Sequence, residues 1–310
     1  MLARQRTAPS GLENKSRSAP LDRSSVRTGS GLRWPSPQPL SRRERGFILA
    51  PVKGPQPPAC KIDPMSFPVR AITLDLDDTL WPFAPIGARI ERVLDDWLRE
   101  HSPATAAMFP VERMRAVRED IFAAHPQYLH DLSRLRRLTL EHALRESGAD
   151  MALLEPAYET FYAARNQVEY YPDALDALQR IAARLPIAAV TNGNADLQRI
   201  GLGHLFVHQV HSREHGAAKP DASIFHAACD LLGVPPGEVL HVGDHIEMDA
   251  VGALKAGLRS CWINRPEDHG GHPRAWPHDA LRPDLEFATL TALADWLDAH
   301  PDFATEHAAA

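Results

Sequence analysis

Three carboxylates follow directly on the apolar segment 69–74, in the run Asp75-Leu76-Asp77-Asp78-Thr79. Burying a carboxylate is costly unless it is paired or bound to a metal, so this cluster is a poor structural choice. Residues i and i+2 of an extended segment point the same way, which lets Asp75 and Asp77 approach one site while Asp78 points elsewhere. The stretch therefore predicts a Mg²⁺-assisted nucleophile and acid/base pair at the end of a strand, provided that the remaining chain supplies phosphate and metal partners.

Three further signals could complete such a site, and each lies at the end of a predicted strand or beside a helix start. They are Thr191-Asn192, Lys219-Pro220, and Gly243-Asp244 with Asp249. Asp244 offers a hard oxygen ligand of the kind that Mg²⁺ prefers, and Lys219 offers a fixed positive charge. Taken alone, Thr191-Asn192 is more typical of a helix cap, and Lys219 of a surface lysine, so only the combination favours a site.

Apolar periodicity places these signals on an α/β scaffold. Strands are expected near 69–74, 187–190, 205–210, 239–242, 260–263 and 285–287, with helices near 174–184, 195–200, 221–232, 249–256 and 290–299. This alternation predicts a doubly wound parallel sheet, whose ligands bind at the carboxyl ends of the strands. Between the first two strands, a loop at 81–85 precedes four helical patterns. The predicted organisation is a core made of 65–81 and 171–300, with an inserted four-helix cap at 82–170.

The first 64 residues differ from the rest of the chain in composition and charge. They are rich in Pro, Ser, Arg and Gly, show no sustained periodicity and cannot bury enough apolar surface to fold alone. They hold 12 of the 34 basic and 4 of the 40 acidic residues, which leaves 22 and 36 in the remainder, a net charge of −14. Either this segment is a disordered targeting leader, or translation starts at Met65, which we favour.

Composition also excludes classes of function. An acidic body argues against general nucleic-acid binding, and no stretch approaches the roughly 18 apolar residues of a membrane helix. The cysteines Cys60, Cys229 and Cys261 are far apart and form no CxxC motif, which predicts a reducing, cytoplasmic location without structural zinc. The expected partner is a small phosphorylated metabolite, and nothing in the sequence indicates an oligomeric state.

In chain order, the four signals resemble the four motifs of the haloacid dehalogenase superfamily, over about residues 68–298. The resemblance implies a Rossmann-like core with a helical cap and Mg²⁺-dependent phosphatase chemistry. In that chemistry Asp75 is the nucleophile that forms an aspartyl-phosphate, and Asp77 gives a proton to the leaving oxygen and later takes one from water. Mg²⁺ would be bound by Asp75, Asp244 and the backbone carbonyl of Asp77.

The same resemblance gives the other motif residues supporting roles. Thr191 and the backbone N–H of Asn192 would hold phosphate oxygens, and Lys219 would stand between the nucleophile and the phosphate. Asp249 would orient the metal ligand Asp244 or a bound water. Thr79 would likewise support a metal ligand without binding the metal itself.

Further stretches resemble a bacterial subgroup of flavin-pathway phosphatases. They include Tyr128-Leu129-His130-Asp131, Val190-Thr191-Asn192-Gly193-Asn194-Ala195, His215-Gly216-Ala217-Ala218-Lys219-Pro220 and Cys261-Trp262-Ile263. That subgroup dephosphorylates 5-amino-6-(5-phospho-D-ribitylamino)uracil, a riboflavin precursor, and also FMN and sugar phosphates. In these enzymes the cap closes over the site, excludes water and contacts the leaving group. Four polar cap residues could meet that group or form a solvated helix face, which we favour: Tyr128, His130, Arg134 and Arg137.

Other reactions of the superfamily are alternatives. Dehalogenases lack the second carboxylate, so Asp77 argues against them, and 81–184 holds no lysine for the Schiff base of a phosphonoacetaldehyde hydrolase. A sugar-phosphate phosphatase or phosphomutase stays open, because it uses the same two aspartates. A catalytically idle binding module is the alternative from a different class. Mg²⁺-dependent turnover of a phosphate ester, lost in Asp75→Asn, separates an enzyme from such a module.

Overall fold

The computed structural model describes residues 67–300 and residue 303, so the predicted leader or alternative start at 1–64, with Cys60, lies outside the described residues. The strands are β1 (Ala71–Leu74), β2 (Ile187–Thr191), β3 (His208–His211), β4 (Val239–Gly243), β5 (Arg259–Ile263) and β6 (Leu285–Phe287). They form one parallel sheet in the order β3-β2-β1-β4-β5-β6. Every residue of β1 is buried, as expected for a central strand with both faces covered.

Helices cover the sheet and form the insertion. The insertion at 82–170 holds five α-helices rather than the four predicted: α1 (Phe83–His101), α2 (Pro103–Met108), α3 (Val111–Ala124), α4 (Leu132–Glu146) and α5 (Leu154–Arg165). The later helices are α6 (Ala174–Ala182), α7 (Leu197–Ile200), α8 (Ser212–His215), α9 (Ala222–Leu232), α10 (Gly252–Lys255) and α11 (Leu290–Asp298). A π-helical turn (Ile246–Val251) leads from β4 into α10. The predicted doubly wound parallel α/β fold with a helical insertion is confirmed.

The long helix α1 shows how sequence periodicity sets the packing of the insertion. Ile86, Ile90, Leu94 and Leu98 recur every four residues and are all buried, which gives the helix one apolar face. That face packs into the same hydrophobic core as Phe161 of α5. Apolar burial of this kind, more than helix propensity, stabilises helices of an inserted module.

Several boundaries differ from those predicted. The helix predicted at 249–256 is the π-helical turn at Ile246–Val251 followed by α10. The segment 81–85 is not a loop throughout, because α1 already begins at Phe83, where Pro85 falls in the first turn and costs no helical hydrogen bond. The strand predicted at 205–210 is His208–His211, because the chain first makes a 3₁₀ turn at Gly203–Leu205. A short extra helix, α2, also follows the predicted break at Ser102, with Pro103 as its first residue.

Among residues 67–300 and 303, no helix combines the length and the apolar composition needed to cross a membrane. The two cysteines of this part, Cys229 and Cys261, are free and buried. Burial raises the pKa of the Cys229 thiol to about 11, which makes it a poor nucleophile at neutral pH.

Candidate active site

The carboxyl ends of three neighbouring strands bring the predicted motif residues to one edge of the sheet. β1 passes directly into Asp75, whose backbone N–H donates to Val242 O of β4 at 2.9 Å. On either side of β1, β2 ends at Thr191 and β4 ends at Gly243, immediately before Asp244. The structure therefore brings together these residues from distant parts of the sequence, at the edge where parallel α/β sheets bind ligands.

Lys219 joins two of the aspartates. Its Nζ donates to Asp75 Oδ1 and to Asp249 Oδ1, at 2.6 Å in both cases. The side chain of Asn192 fixes the loop that carries the lysine: Oδ1 accepts from Lys219 N–H at 2.8 Å and Nδ2 donates to Lys219 O at 2.9 Å. Asn192 thus has a structural contact that the sequence did not predict, in addition to the backbone N–H that was expected to hold phosphate.

Asp249 is held by a buried chain of polar groups. His241 lies with Nε2 at 3.1 Å from Asp249 Oδ1 and Nδ1 at 3.0 Å from Thr73 Oγ1. Because a carboxylate only accepts, His241 donates from Nε2 and accepts the Thr73 hydroxyl proton at Nδ1. The backbone N–H of His245 donates to Asp249 Oδ2 at 3.0 Å. The hydrogen-bond partners of Asp249 are therefore Lys219, His241 and this amide. Its predicted role, to orient Asp244 or a bound water, stays a prediction.

Carboxylate oxygens of Asp75, Asp244 and Asp249 lie within 4.8 Å of one another. Burial raises the pKa of Asp75 to about 7 and raises the pKa of Asp244 well above its usual range. Burial acts on Asp249 as well, but Lys219 and His241 outweigh it and hold its pKa well below the usual range. One ammonium leaves three carboxylates with uncompensated negative charge, and their hard oxygens fit a divalent cation such as Mg²⁺.

The residues after Asp77 anchor the loop that follows β1. Thr79, fully buried, donates from Oγ1 to Asp244 Oδ1 at 3.2 Å. Asp78 takes a left-handed φ of +59°, and its Oδ1 accepts from Phe83 N–H at 2.8 Å at the start of α1. Asp78 thus has a structural contact at the helix start.

Asp77 contacts a buried arginine of the helical insertion. Arg165 Nη2 donates to Asp77 Oδ1 at 2.8 Å and to Oδ2 at 2.6 Å, and Trp81 Nε1 donates to Oδ1 at 2.8 Å. Arg165, the last residue of α5, was not predicted as a functional residue. The sequence did contain a signal for a buried cation at this position. Tyr158 and Phe161 lie on the buried face of α5, and the next position on that face, 165, is an arginine.

The loop after β2 packs closely against Asp77. Thr191 Oγ1 accepts from Gly193 N–H at 2.9 Å. A Cβ on Gly193 would lie 2.7 Å from Asp77 Oδ2, closer than real Cβ contacts, and 3.2 Å from Arg165 Nη2, tighter than most of them. Only glycine therefore lets this loop approach the Asp77–Arg165 pair.

Two of the four polar residues considered in the helical insertion, Arg134 and Arg137, make side-chain contacts typical of a helix surface. The Arg134 guanidinium lies 3.7 Å from the centre of the Tyr128 ring, and Arg137 pairs with a glutamate of α5 at 2.9 Å. The backbone carbonyl of His130 accepts from Ser212 Oγ at 2.8 Å, which joins the insertion to the α/β core. The side chains of Arg134 and Arg137 are thus engaged with neighbours inside the insertion.

Comparison with known proteins shows what this chain is similar to. The chain is 34% identical over 229 residues to the 5-amino-6-(5-phospho-D-ribitylamino)uracil phosphatase YigB of Escherichia coli (strain K12), covering 73% of this chain and 94% of that one. It is 31% identical to a phosphoserine phosphatase of Thermus thermophilus, covering 66% and 94%.

The crystal structure of a 2-haloacid dehalogenase from Pseudomonas syringae pv. Tomato DC3000 superposes with a TM-score of 0.67 at 34% identity, covering 74% of this chain and 99% of that one. The model of the haloacid dehalogenase-like hydrolase family matches residues 69–257. That range spans β1 to α10 and includes each motif residue at the sheet edge. The protein is therefore an enzyme, a hydrolase with phosphatases among its relatives, and the chain belongs to the haloacid dehalogenase-like hydrolase family.

Proposed function

We propose that the protein is a Mg²⁺-dependent phosphatase that hydrolyses a small phosphate monoester through an aspartyl-phosphate on Asp75. The proposed substrate is 5-amino-6-(5-phospho-D-ribitylamino)uracil or FMN, in riboflavin metabolism. The observation that carries the proposal is the placement of Lys219 between Asp75 and Asp249 beside Asp244, which combines a nucleophile, a fixed cation and oxygen ligands. The substrate is supported by the E. coli relative and by the sequence stretches shared with its subgroup.

Asp75 and Asp77 would divide the chemistry between them. A carboxylate oxygen of Asp75 attacks phosphorus as the bond to the alcohol oxygen breaks, and water later cleaves the acyl phosphate to return the carboxylate and release phosphate. Asp77 gives its proton to the leaving alcohol oxygen and takes one from the attacking water. Lys219, 2.6 Å from Asp75 Oδ1, supplies positive charge beside the nucleophile while the phosphate carries negative charge.

The metal would be held by the side chains of Asp75 and Asp244 and by the backbone carbonyl of Asp77. When bound, Mg²⁺ supplies positive charge that offsets the repulsion between the carboxylate and the phosphate. Thr79 steadies Asp244 through its hydroxyl, and Asp249 keeps Lys219 in place.

Thr191 is suited to bind phosphate. Because Thr191 Oγ1 accepts from Gly193 N–H, its hydroxyl proton is free to point to a phosphate oxygen. The backbone N–H of Asn192 would supply a second donor at the same edge of the sheet. Together with Lys219, these groups would hold the phosphate against Asp75.

The helical segment 82–170 would act as the cap over the α/β core. Contacts that join the two parts lie next to the site, including Arg165 with Asp77 and His130 with Ser212. Closure of such a segment excludes water and brings its polar groups to the leaving group. A cytoplasmic location, expected from the cysteine pattern, belongs to the same proposal.

A panel of phosphate esters tests the substrate. Phosphate release would be measured for the ribitylamino-uracil phosphate, FMN, common sugar phosphates and phosphoserine, each with Mg²⁺ and with EDTA. We expect the two flavin-pathway esters to give the highest kcat/KM, and EDTA to abolish turnover. Inert flavin-pathway esters beside an active sugar phosphate would assign the enzyme to sugar-phosphate hydrolysis, and formation of an isomeric sugar phosphate would identify a mutase. Chloride release from 2-chloropropionate, without phosphatase activity, would show a dehalogenase.

A further inference from the structure

Arg165 is a buried cation whose hydrogen-bond donors are only partly used. Its side chain is 2% exposed. Nη2 donates to both oxygens of Asp77, and Nε donates to Asn194 Oδ1 at 3.2 Å. The remaining nitrogen, Nη1, is buried and has no hydrogen-bond partner among the described residues. Because buried N–H groups are nearly always paired, these unused donors require an explanation.

The guanidinium cannot turn to find a partner for Nη1. Nε and Nη2 form one edge of the planar group, and Asn194 and Asp77 occupy that edge. The N–H groups of Nη1 therefore lie outside that edge, one of them next to Nη2 at the end of the group. Asn194 is held in turn, because its Nδ2 donates to Ser133 Oγ of α4 at 3.4 Å. Both the insertion and the core therefore fix the orientation of Arg165.

Asp77, the partner of Arg165, is held in place as well. Gly193 approaches so closely that a Cβ there would overlap Asp77 Oδ2 at 2.7 Å. Trp81 Nε1 donates to Asp77 Oδ1 at 2.8 Å and fixes the carboxylate from a third direction. The position of the unused donors relative to Asp77 is thus set by packing, as a preorganised binding group requires.

We propose that Arg165 is a positioning and specificity-determining residue, an inference that rests on the phosphatase function proposed above. Its Nη2 orients Asp77, and Nη1 binds an oxygen of the alcohol half of the substrate. Asp77 is the residue proposed to protonate the leaving oxygen. Because Arg165 is held against Asp77, its Nη1 lies beside the alcohol half of the ester. The favoured substrates are phosphate esters of polyols, with a hydroxyl or carbonyl oxygen near the ester bond, rather than esters of apolar alcohols or phenols.

Two substrates separate the two parts of the proposal. kcat and KM would be measured with Mg²⁺ for D-ribitol 5-phosphate and phenyl phosphate in wild type, Arg165→Lys and Arg165→Gln. We expect kcat to fall for both substrates, because Asp77 loses its bidentate partner. The kcat/KM for ribitol 5-phosphate should fall a further 10-fold or more, about the loss expected when a charged donor leaves a substrate oxygen unpaired. The Ki of inorganic phosphate should stay within about twofold, because phosphate has no alcohol half.

Equal losses for the two substrates would overturn the contact between Nη1 and the substrate. Unchanged kcat for both would overturn the positioning of Asp77 as well. A wild type without turnover of either ester would instead overturn the phosphatase function itself. Arg145→Gln is the matched control, because Arg145 is an exposed cap arginine that pairs with Glu141 within α4; its kinetic constants should equal those of the wild type.

A second variant addresses the case in which replacing a buried arginine prevents folding. Gly193→Ala leaves Arg165 intact but places a Cβ 2.7 Å from Asp77 Oδ2. We expect a lower kcat for both esters and a larger loss of kcat/KM for ribitol 5-phosphate. A folded Gly193→Ala protein with the wild-type ratio between the two esters would overturn the proposal.

Discussion

Lys219 Nζ lies 2.6 Å from Asp249 Oδ1 in the interior, where the two side chains are 3% and 1% exposed. The same ammonium lies 2.6 Å from Asp75 Oδ1. Taking charges out of water is costly, and removing one partner of a buried pair leaves the other without compensation. Lys219 therefore balances charge for two carboxylates, which ties the stability of the sheet edge to the chemistry proposed there.

Replacing Lys219 by methionine should weaken both catalysis and folding. We expect kcat to fall at least about 100-fold, and the free energy of unfolding in EDTA to fall by about 3 kcal/mol. Because the carboxylates then lack their ammonium, Mg²⁺ should raise the melting temperature of Lys219→Met more than that of the wild type. Thermal unfolding with and without Mg²⁺ measures this difference. Lys255→Met is the control, since Lys255 is the other lysine of residues 67–300 and is exposed; an equal Mg²⁺ effect in Lys219→Met and wild type would contradict the expectation.

Gly243 leaves room for Asp249. A Cβ at position 243 would lie 2.4 Å from Asp249 Cγ, so Gly243→Ala must displace the carboxylate that holds Lys219. We expect a loss of about 1–3 kcal/mol in the free energy of unfolding, together with a lower kcat. Urea unfolding and phosphate release measure the two effects. Gly237→Ala is the matched control, because nothing lies within 4 Å of its Cβ position; equal behaviour of the two variants would show that position 243 is not constrained by Asp249.

The hydroxyl of Thr79 should support metal binding. Thr79→Val removes the 3.2 Å hydrogen bond to Asp244 Oδ1 with almost no change in volume. We expect the Kd for Mg²⁺, measured by calorimetry, to rise about 10-fold, because groups that orient metal ligands typically contribute this much. Thr139→Val is the control: its buried hydroxyl donates to Leu135 O at 2.9 Å inside α4. A Kd that is the same in Thr79→Val and Thr139→Val would refute a role of Thr79 at the metal site.

Asp173 should contribute an acid-sensitive part of the stability. Arg265 donates to it at 2.8 and 3.2 Å, and Leu290 N–H donates at 2.7 Å. Burial by itself raises the pKa of Asp173, but these partners outweigh it and lower the pKa below 3.8, the ordinary value of an aspartate. The stabilisation that ionised Asp173 adds to the free energy of unfolding is therefore complete above about pH 4. It is lost as the pH falls through the pKa of Asp173 in the folded protein.

The comparison of wild type with Asp173→Asn isolates this contribution. Urea unfolding from about pH 6 to about pH 3 should show a stability difference that is constant at the upper end and shrinks at the lower end. Other carboxylates titrate in both proteins and cancel in the difference. A difference that persists unchanged at the acid end would contradict the predicted direction of the pKa shift.

The fold could be predicted because its signals are local and repeated. Strand β6 lies at 285–287 as predicted, and α11 ends within a residue of the predicted 299, because apolar spacing and turn residues mark both elements. The start of α1 was misplaced because prolines were taken as a sign of a loop, although Pro85 lies in the first helical turn.

The site could be predicted only where a residue belongs to a motif. Asp75, Lys219 and Asp244 were expected to meet, and the structure places them together. His241 and Arg165 were missed, because each lies alone in an apolar pattern and its polar partner belongs to a different element of the fold. His241 is eight residues from Asp249, and Arg165 is 88 residues from Asp77. A polar residue at a buried position of a strand or helix was the available signal.

The most direct test of the account is Mg²⁺-dependent phosphate release from p-nitrophenyl phosphate by the wild type and by Asp75→Asn. Asparagine keeps the size of the side chain but is not a carboxylate nucleophile, so no aspartyl-phosphate can form. The account predicts steady turnover by the wild type, none in EDTA, and only background release by a folded Asp75→Asn protein. Substantial turnover by Asp75→Asn, or wild-type turnover that persists without the metal, would contradict it.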